Sequence, residues 1–201
     1  MARPPKDMKN NARTRIENAF WELLKQTEDY NKLTINALAK QARVNHNTFY
    51  YHFSNIEELA QILCDRLVNK APVESMYQLA LESKLDITNF LEINPYFFEI
   101  VEHASLIVRS GTPQLTNHIR KGIAQRWMNT ILDNTHTLPE HTMQDIRTLI
   151  TFLTGGFLSV LSNSPNNISD IESLPRVLNM GIAHSIIDTL IKLTQPHSTK
   201  E

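Results

Sequence analysis

A single cysteine, Cys64, stands in a chain of 201 residues, so no internal disulfide can form. Its neighbours Leu63 and Leu67 at helical spacing point to an ordinary buried thiol. Glycine is scarce as well, five in all, and none lies in a P-loop or a dinucleotide fingerprint. No secretory leader is visible, and no apolar run approaches the roughly 20 residues a membrane helix needs. A cytoplasmic location without membrane contact is therefore expected. Histidine is present without the partners that chemistry requires. Glu102 precedes His103, and His136 and His141 are five residues apart, but no Asp or Glu completes a metal-ligand or catalytic pattern around them. Neither enzymatic activity nor a cofactor or metal is expected.

What the chain does have is helical periodicity. Ile16, Ala19, Phe20, Leu23 and Leu24 recur at three- and four-residue steps, the stripe of an amphipathic first helix. Thr34 precedes Ile35, Ala37, Leu38 and Ala39, placing a capping hydroxyl before a short second helix. Gln41 to Val44 can turn the chain, Asn45 can cap a third helix, and Ser54 with Glu57 has capping-box spacing for a fourth helix reaching about Asn69. Two short helices with a tight turn between them make a helix-turn-helix.

In such a unit the second helix of the pair fits the major groove and points its first turn at base edges. Asn45, His46, Asn47 and Thr48 offer short donors and acceptors there. Tyr50, Tyr51 and His52 follow and can bond phosphates, which set docking without reading sequence. The other reading of each aromatic is a place in the small core, and Phe49 and Phe53 are expected to face inward.

The stretch from Thr14 to Leu59, about a quarter of the chain, resembles the DNA-binding domain of tetracycline-repressor-type (TetR) transcriptional regulators. The resemblance is carried by Ile16 and Ala19, Tyr30 before the turn, Thr34, Leu38 and Ala39, Ala42 and Val44, Thr48 to Phe53, and Glu57-Glu58-Leu59. It implies DNA contacts at Thr34, Asn45, His46, Asn47, Thr48, Tyr50, Tyr51 and His52, with Val44, Phe49 and Phe53 packing inside. Family members commonly carry glycine where this chain has Asp29 and Arg43, a small residue where it has Asn47, and lysine where it has Ile56. Asp and Asn adopt glycine-like turn conformations more readily than other residues. Arg43 either takes an ordinary turn geometry or supplies a phosphate contact in place of the lysine.

Charge is distributed unevenly. The formal net charge is −1, yet residues 1–50 hold nine Lys and Arg against five Asp and Glu. Arg3, Lys6, Lys9, Arg13 and Arg15 can form an arm that neutralises phosphates, or simply a solvated tail.

Beyond the first unit the chain reads as helices over about 74–90, 95–109, 112–133, 142–162 and 170–194, without sustained β alternation. The fold expected is all-α: residues 1–56 form an arm and a three-helix helix-turn-helix domain, and residues 57–201 a helical ligand-binding and dimerisation domain. The fourth and fifth of these helices are apolar on more than one side, and Gly155-Gly156 would let another backbone approach closely. They suit either a monomer interior or a homodimer, and the resemblance implies that the last two long helices pair across a two-fold axis to match a palindromic operator. The resemblance also implies a small-molecule effector. The aromatic content of the middle helices suits a largely apolar one, with Tyr77, Phe98, Glu102, His103, Trp127 and Phe152 as candidate ligand-binding residues. The resulting expectation is a ligand-responsive, homodimeric DNA-binding repressor. The alternative is a helical small-molecule-binding or protein-interaction module without selective DNA recognition.

Overall fold

The computed structural model describes residues 11–110, 112–135, 137–163 and 182–194, with backbone alone for residues 87–89 and 182–184. Among them are ten α-helices and no strand. The first unit comprises α1 (Ala12–Thr27), a single 3-10 turn (Tyr30–Lys32), α2 (Ile35–Gln41) and α3 (His46–His52). After it come α4 (Ile56–Lys70), α5 (Val73–Leu81), α6 (Ile87–Ile93), α7 (Phe97–Arg109), α8 (Pro113–Asp133), α9 (Glu140–Asn163) and α10 (Ile182–Thr194).

The expected stripe of α1 is buried: Ile16, Phe20 and Leu24 are fully enclosed, with Ala19 beside them. They meet Leu38 of α2, Phe49 in the middle of α3 and Phe53 just past its end in one core. Burying such a side chain contributes about 1.5–3 kcal/mol relative to leaving it in water. Helix α4 closes this core with Leu59 and Leu63 and then runs on to pack against α8. There Gly122 faces Val68 so closely that an added Cβ would lie 2.8 Å from both Val68 methyls. The Arg126 guanidinium, also on α8, donates to the carbonyls of Val68 and Asn69 at the end of α4 and pairs with Glu74. A cation there complements the exposed carbonyls of a helix C-terminus. A second core joins α5, α8, α9 and α10 through Tyr77, Trp127, Ile131, Ile146, Ile150 and Leu190.

The left-handed backbone positions show what glycine scarcity hides. Glu28, Arg43 and Ser83 have φ of 50°, 52° and 54°. Two of them end helices in the same way. The amide of Arg43 donates to Lys40 O (3.1 Å) and that of Val44 to Ala39 O (2.9 Å), while Ser83 N donates to Ala80 O (3.0 Å) and Lys84 N to Leu79 O (2.8 Å). This paired closure uses the last free carbonyls of a helix and usually places glycine at the left-handed residue. Here arginine and serine do so. The helix expected over 74–90 therefore stops at Leu81, and α6 begins only at Ile87. Asp29 is extended, at φ −145°, and caps the 3-10 turn; the left-handed residue is its neighbour Glu28. The cap of α4 is likewise displaced by one residue: Asn55 Oδ1 accepts from Glu58 N at 2.8 Å, and Glu58 accepts from Ser54 N at 2.6 Å. That bond from Ser54 N–H holds the Glu58 carboxyl below its usual range. The part of the last expected helix over residues 170–181 lies outside the described residues.

Candidate nucleic-acid interface

The helix-turn-helix is held by side chains that satisfy the free amides at each helix start. Thr34 Oγ1 accepts from Ala37 N (3.1 Å), opening α2. Asn45 Oδ1 accepts from both Thr48 N (2.7 Å) and Thr48 Oγ1 (2.9 Å), opening α3. Gln41 Nε2 donates to Glu22 Oε2 (2.5 Å), fastening α2 to α1. Arg43, between α2 and α3, is exposed, and its carbonyl accepts from Arg15 Nη1 at 3.5 Å.

On α3 the inward side is Phe49, with Phe53 just past the helix end, at 0% and 1% exposure. Asn47 and Tyr51, four residues apart, form the ridge directly opposite by helix geometry, and Asn47 has ordinary helical backbone. Tyr51 is 84% and Tyr50 51% exposed. His46 is exposed and sets its ring edge-on to Tyr50 with centroids 5.0 Å apart, while half-buried His52 makes a similar contact with Tyr51 at 5.0 Å. The fold thus gathers Arg43, His46, Asn47, Tyr50 and Tyr51 on the outside of the turn and third helix. Asn45 and Thr48 lie beside them with their side chains engaged in the cap, and Thr34 sits at the start of α2. Ile56, where the family resemblance would place lysine, is half-buried against the core.

Part of the basic first turn is used inside the protein. Arg13 Nε pairs with Glu17 (3.0 Å), and its guanidinium lies 5.1 Å from the centre of the Phe53 ring. Arg66 of α4 completes the set with two bonds to Glu17, at 2.5 and 2.8 Å. Glu17 is 6% exposed, so these cations offset the cost of a carboxylate taken from water. Arg66 carries no sequence signal for this role, being 49 residues away.

The first unit is thus a small three-helix domain whose turn and third helix face outward. Residues 22–62 match the family described as bacterial regulatory proteins, tetR family. The N-terminal unit is a tetR-family helix-turn-helix. Over 54 residues the chain is 33% identical to an uncharacterized HTH-type transcriptional regulator, YxbF, of Bacillus subtilis (strain 168). That stretch is 27% of this chain and only 14% of the relative, so the likeness concerns the tetR-type unit and not the helices behind it.

Among those later helices the six candidate ligand residues occupy different places. Tyr77 and Trp127 are both in the second core, at 1% and 2% exposure, and Tyr77 Oη lies 3.5 Å from Thr194 Oγ1. Phe98 is exposed at the start of α7, and Phe152 is 63% exposed on α9. Glu102 and His103 turn toward α1: Glu102 pairs with Lys25 at 2.7 Å, and the His103 ring stacks on Trp21 at 4.1 Å. Cys64 is fully enclosed, and burial pushes its thiol up to about 12, which keeps it protonated and unreactive.

Proposed function

We propose that the protein is a DNA-binding transcriptional repressor that acts as a homodimer on a palindromic operator and is released by a small, largely apolar effector. The tetR-family unit with α3 turned outward carries this reading. In the proposed complex α3 enters the major groove. His46 and Asn47 address base edges, assisted by Thr48 and Asn45 where the cap leaves their atoms free. Tyr50, Tyr51 and His52 hold the flanking backbone, while Arg43 and Thr34 contact phosphates at the turn and the start of α2. The units proposed are residues 1–56 for DNA and 57–201 for effector and dimer.

Helices α9 and α10 are proposed to pair with their copies in a second protomer. The exposed side of α9 supports this: Phe152 and Val160 are 63% and 43% exposed, and nothing lies within 4 Å of a Cβ added at Gly155 or Gly156. A two-fold pair would set the two α3 helices about 34–36 Å apart, one turn of DNA. The effector is proposed to lodge among the middle helices with Tyr77 and Trp127 as its apolar walls and Phe98, Glu102, His103 and Phe152 as further contacts, favouring a spacing of the DNA units that fits the operator less well.

The purified protein, mixed with DNA from its own upstream region, is expected to give a sequence-selective complex that weakens as salt rises. No selective complex would sink the repressor reading. Salt-sensitive binding without selectivity would favour a helical module that keeps the scaffold but not operator choice. If Asn47→Ala and Tyr50→Phe both left selective binding intact, the assignment of contacts would fail while the family relationship stood.

A further inference from the structure

A ring stack and an ion pair join helices α1 and α7. Trp21 and Lys25 are one helical turn apart on α1, and consecutive Glu102 and His103 on α7 meet them. The two rings lie nearly parallel, at 12° and 4.1 Å between centroids, and Lys25 Nζ is 2.7 Å from Glu102 Oε1. The ion pair is substantially exposed, Lys25 at 60% and Glu102 at 32%, and such pairs contribute little by themselves. The ring stack is therefore the stronger part of the contact. It also leads inward: Trp21 sets its edge against Phe20, at 5.1 Å, which is fully buried in the core shared with α2 and α3.

We propose that the stacked Trp21–His103 pair is a proton-sensitive joint between the helix-turn-helix unit and the helices behind it, closed while His103 is neutral and loosened when the imidazole takes up a proton. Its consequence for DNA rests on the repressor reading; the joint itself does not.

Burial between the helices penalises the imidazolium form and holds His103 below its ordinary value of 6.5. Glu99 and Glu102 on its own helix favour the proton, whereas Lys70 at the end of α4 and Lys25 on α1 oppose it. Burial is the largest of these influences. An opened joint returns His103 to water and to a value near 6.5, so the open form binds the proton more readily than the closed form. The joint has its full strength above pH 6.5 and loses it as pH falls through that value toward the lower one of the closed state. Loosening α1 leaves the DNA unit less fixed on its scaffold, and ordering it again on the operator costs binding free energy.

The test uses the full chain and His103→Phe, which keeps a flat ring against Trp21 but cannot be protonated; His103→Gln serves if the phenylalanine variant folds poorly. Imidazole NMR, with the variant identifying the His103 signal, is expected to give a titration below 6.5. A titration at or above that value would mean that attraction of imidazolium to the indole face outweighs burial, and would overturn the proposal. Operator affinity is then compared at about pH 7.5 and about pH 5.5 in both proteins. All other side chains are common to both proteins, so the informative quantity is the ratio of variant to wild type. The wild type is expected to lose about fivefold more affinity on acidification than His103→Phe, the lower end of typical couplings between separate sites. Parallel pH profiles would overturn the joint's effect on DNA. If neither protein bound DNA at any pH, the repressor reading would fall and the NMR titration alone would uphold or overturn the joint.

Discussion

The helices on the two sides of α4 are begun by different means. In the first unit Asn11, Thr34 and Asn45, and then Asn55 at α4 itself, each turn a side-chain oxygen onto a free amide. Behind it, α5, α7 and α8 start at Pro72, Tyr96 and Thr112 with no side-chain cap bond. The difference does not simply follow length, since capped α1 and α4 have 16 and 15 residues and uncapped α5 has nine, but it matters most for the shortest helices. Helices α2 and α3 have seven residues each, too few to be stable alone, so their direction depends on how each end is fastened. Helix α8, with 21 residues, is positioned by the apolar side chains it shares with two cores. An element that must point its side chains at a partner is fixed locally; one that only fills volume is fixed by packing.

The sharpest way to break this contrast is to remove the long-range tie that reaches the buried carboxylate of the first unit. Arg66→Ala strips the two-pronged partner from buried Glu17 and is expected to destabilise the protein by about 3 kcal/mol, the usual cost of breaking a buried ion pair, measured by urea denaturation. A loss under about 1 kcal/mol would mean that Arg13 alone satisfies the carboxylate. On the packing side, Gly122→Ala drives a methyl into Val68 and is expected to cost about 2 kcal/mol as overpacking. A smaller effect would show that α4 and α8 can part without strain.

Two further substitutions sharpen the comparison. Asn45→Ala is expected to cost about 1 kcal/mol through the lost cap, whereas Tyr96→Ala at the matching position of α7, 70% exposed, should change stability by less than about 0.5 kcal/mol. Equal losses would erase the distinction between capped and packed helices. The smallest change has the opposite sign. Arg43→Gly relieves a left-handed side chain that costs about 1 kcal/mol and adds freedom to the unfolded chain, for a net gain of about 0.5 kcal/mol in thermal unfolding. The same variant is expected to bind DNA more weakly with a salt slope shallower by about one. Unchanged DNA binding would remove Arg43 from the interface.

Legibility in the sequence followed the distance over which each signal acts. The apolar stripe of α1, the Thr34 and Asn45 caps and the inward Phe49 and Phe53 are set within one or two turns, and periodicity and cap chemistry expose them. The stop after Leu81 was hidden because Ser83, not glycine, takes the left-handed turn. The cap of α4 was displaced by one residue because Ser54 and Asn55 are both good cappers. Glu17 with Arg66 and Trp21 with His103 join residues far apart in the chain, and no local pattern announces such pairs. For the same reason the ion pair and ring stack that Glu102 and His103 make with α1 could not be read from the sequence.

The position of Glu17 also has a consequence for synthesis. Ile16 and Phe20 cannot be enclosed without drawing Glu17 out of water with them, and its strongest partner is Arg66, beyond the end of the three-helix unit. Leu59 and Leu63, which close the same core, are also supplied by α4. Without α4, this unit therefore keeps only Arg13 as a counter-charge for Glu17 and lacks the last wall of its own interior. The first unit is thus expected to complete its fold only once α4 is present, so the segment that faces outward is finished together with the helix that leads into the rest of the chain.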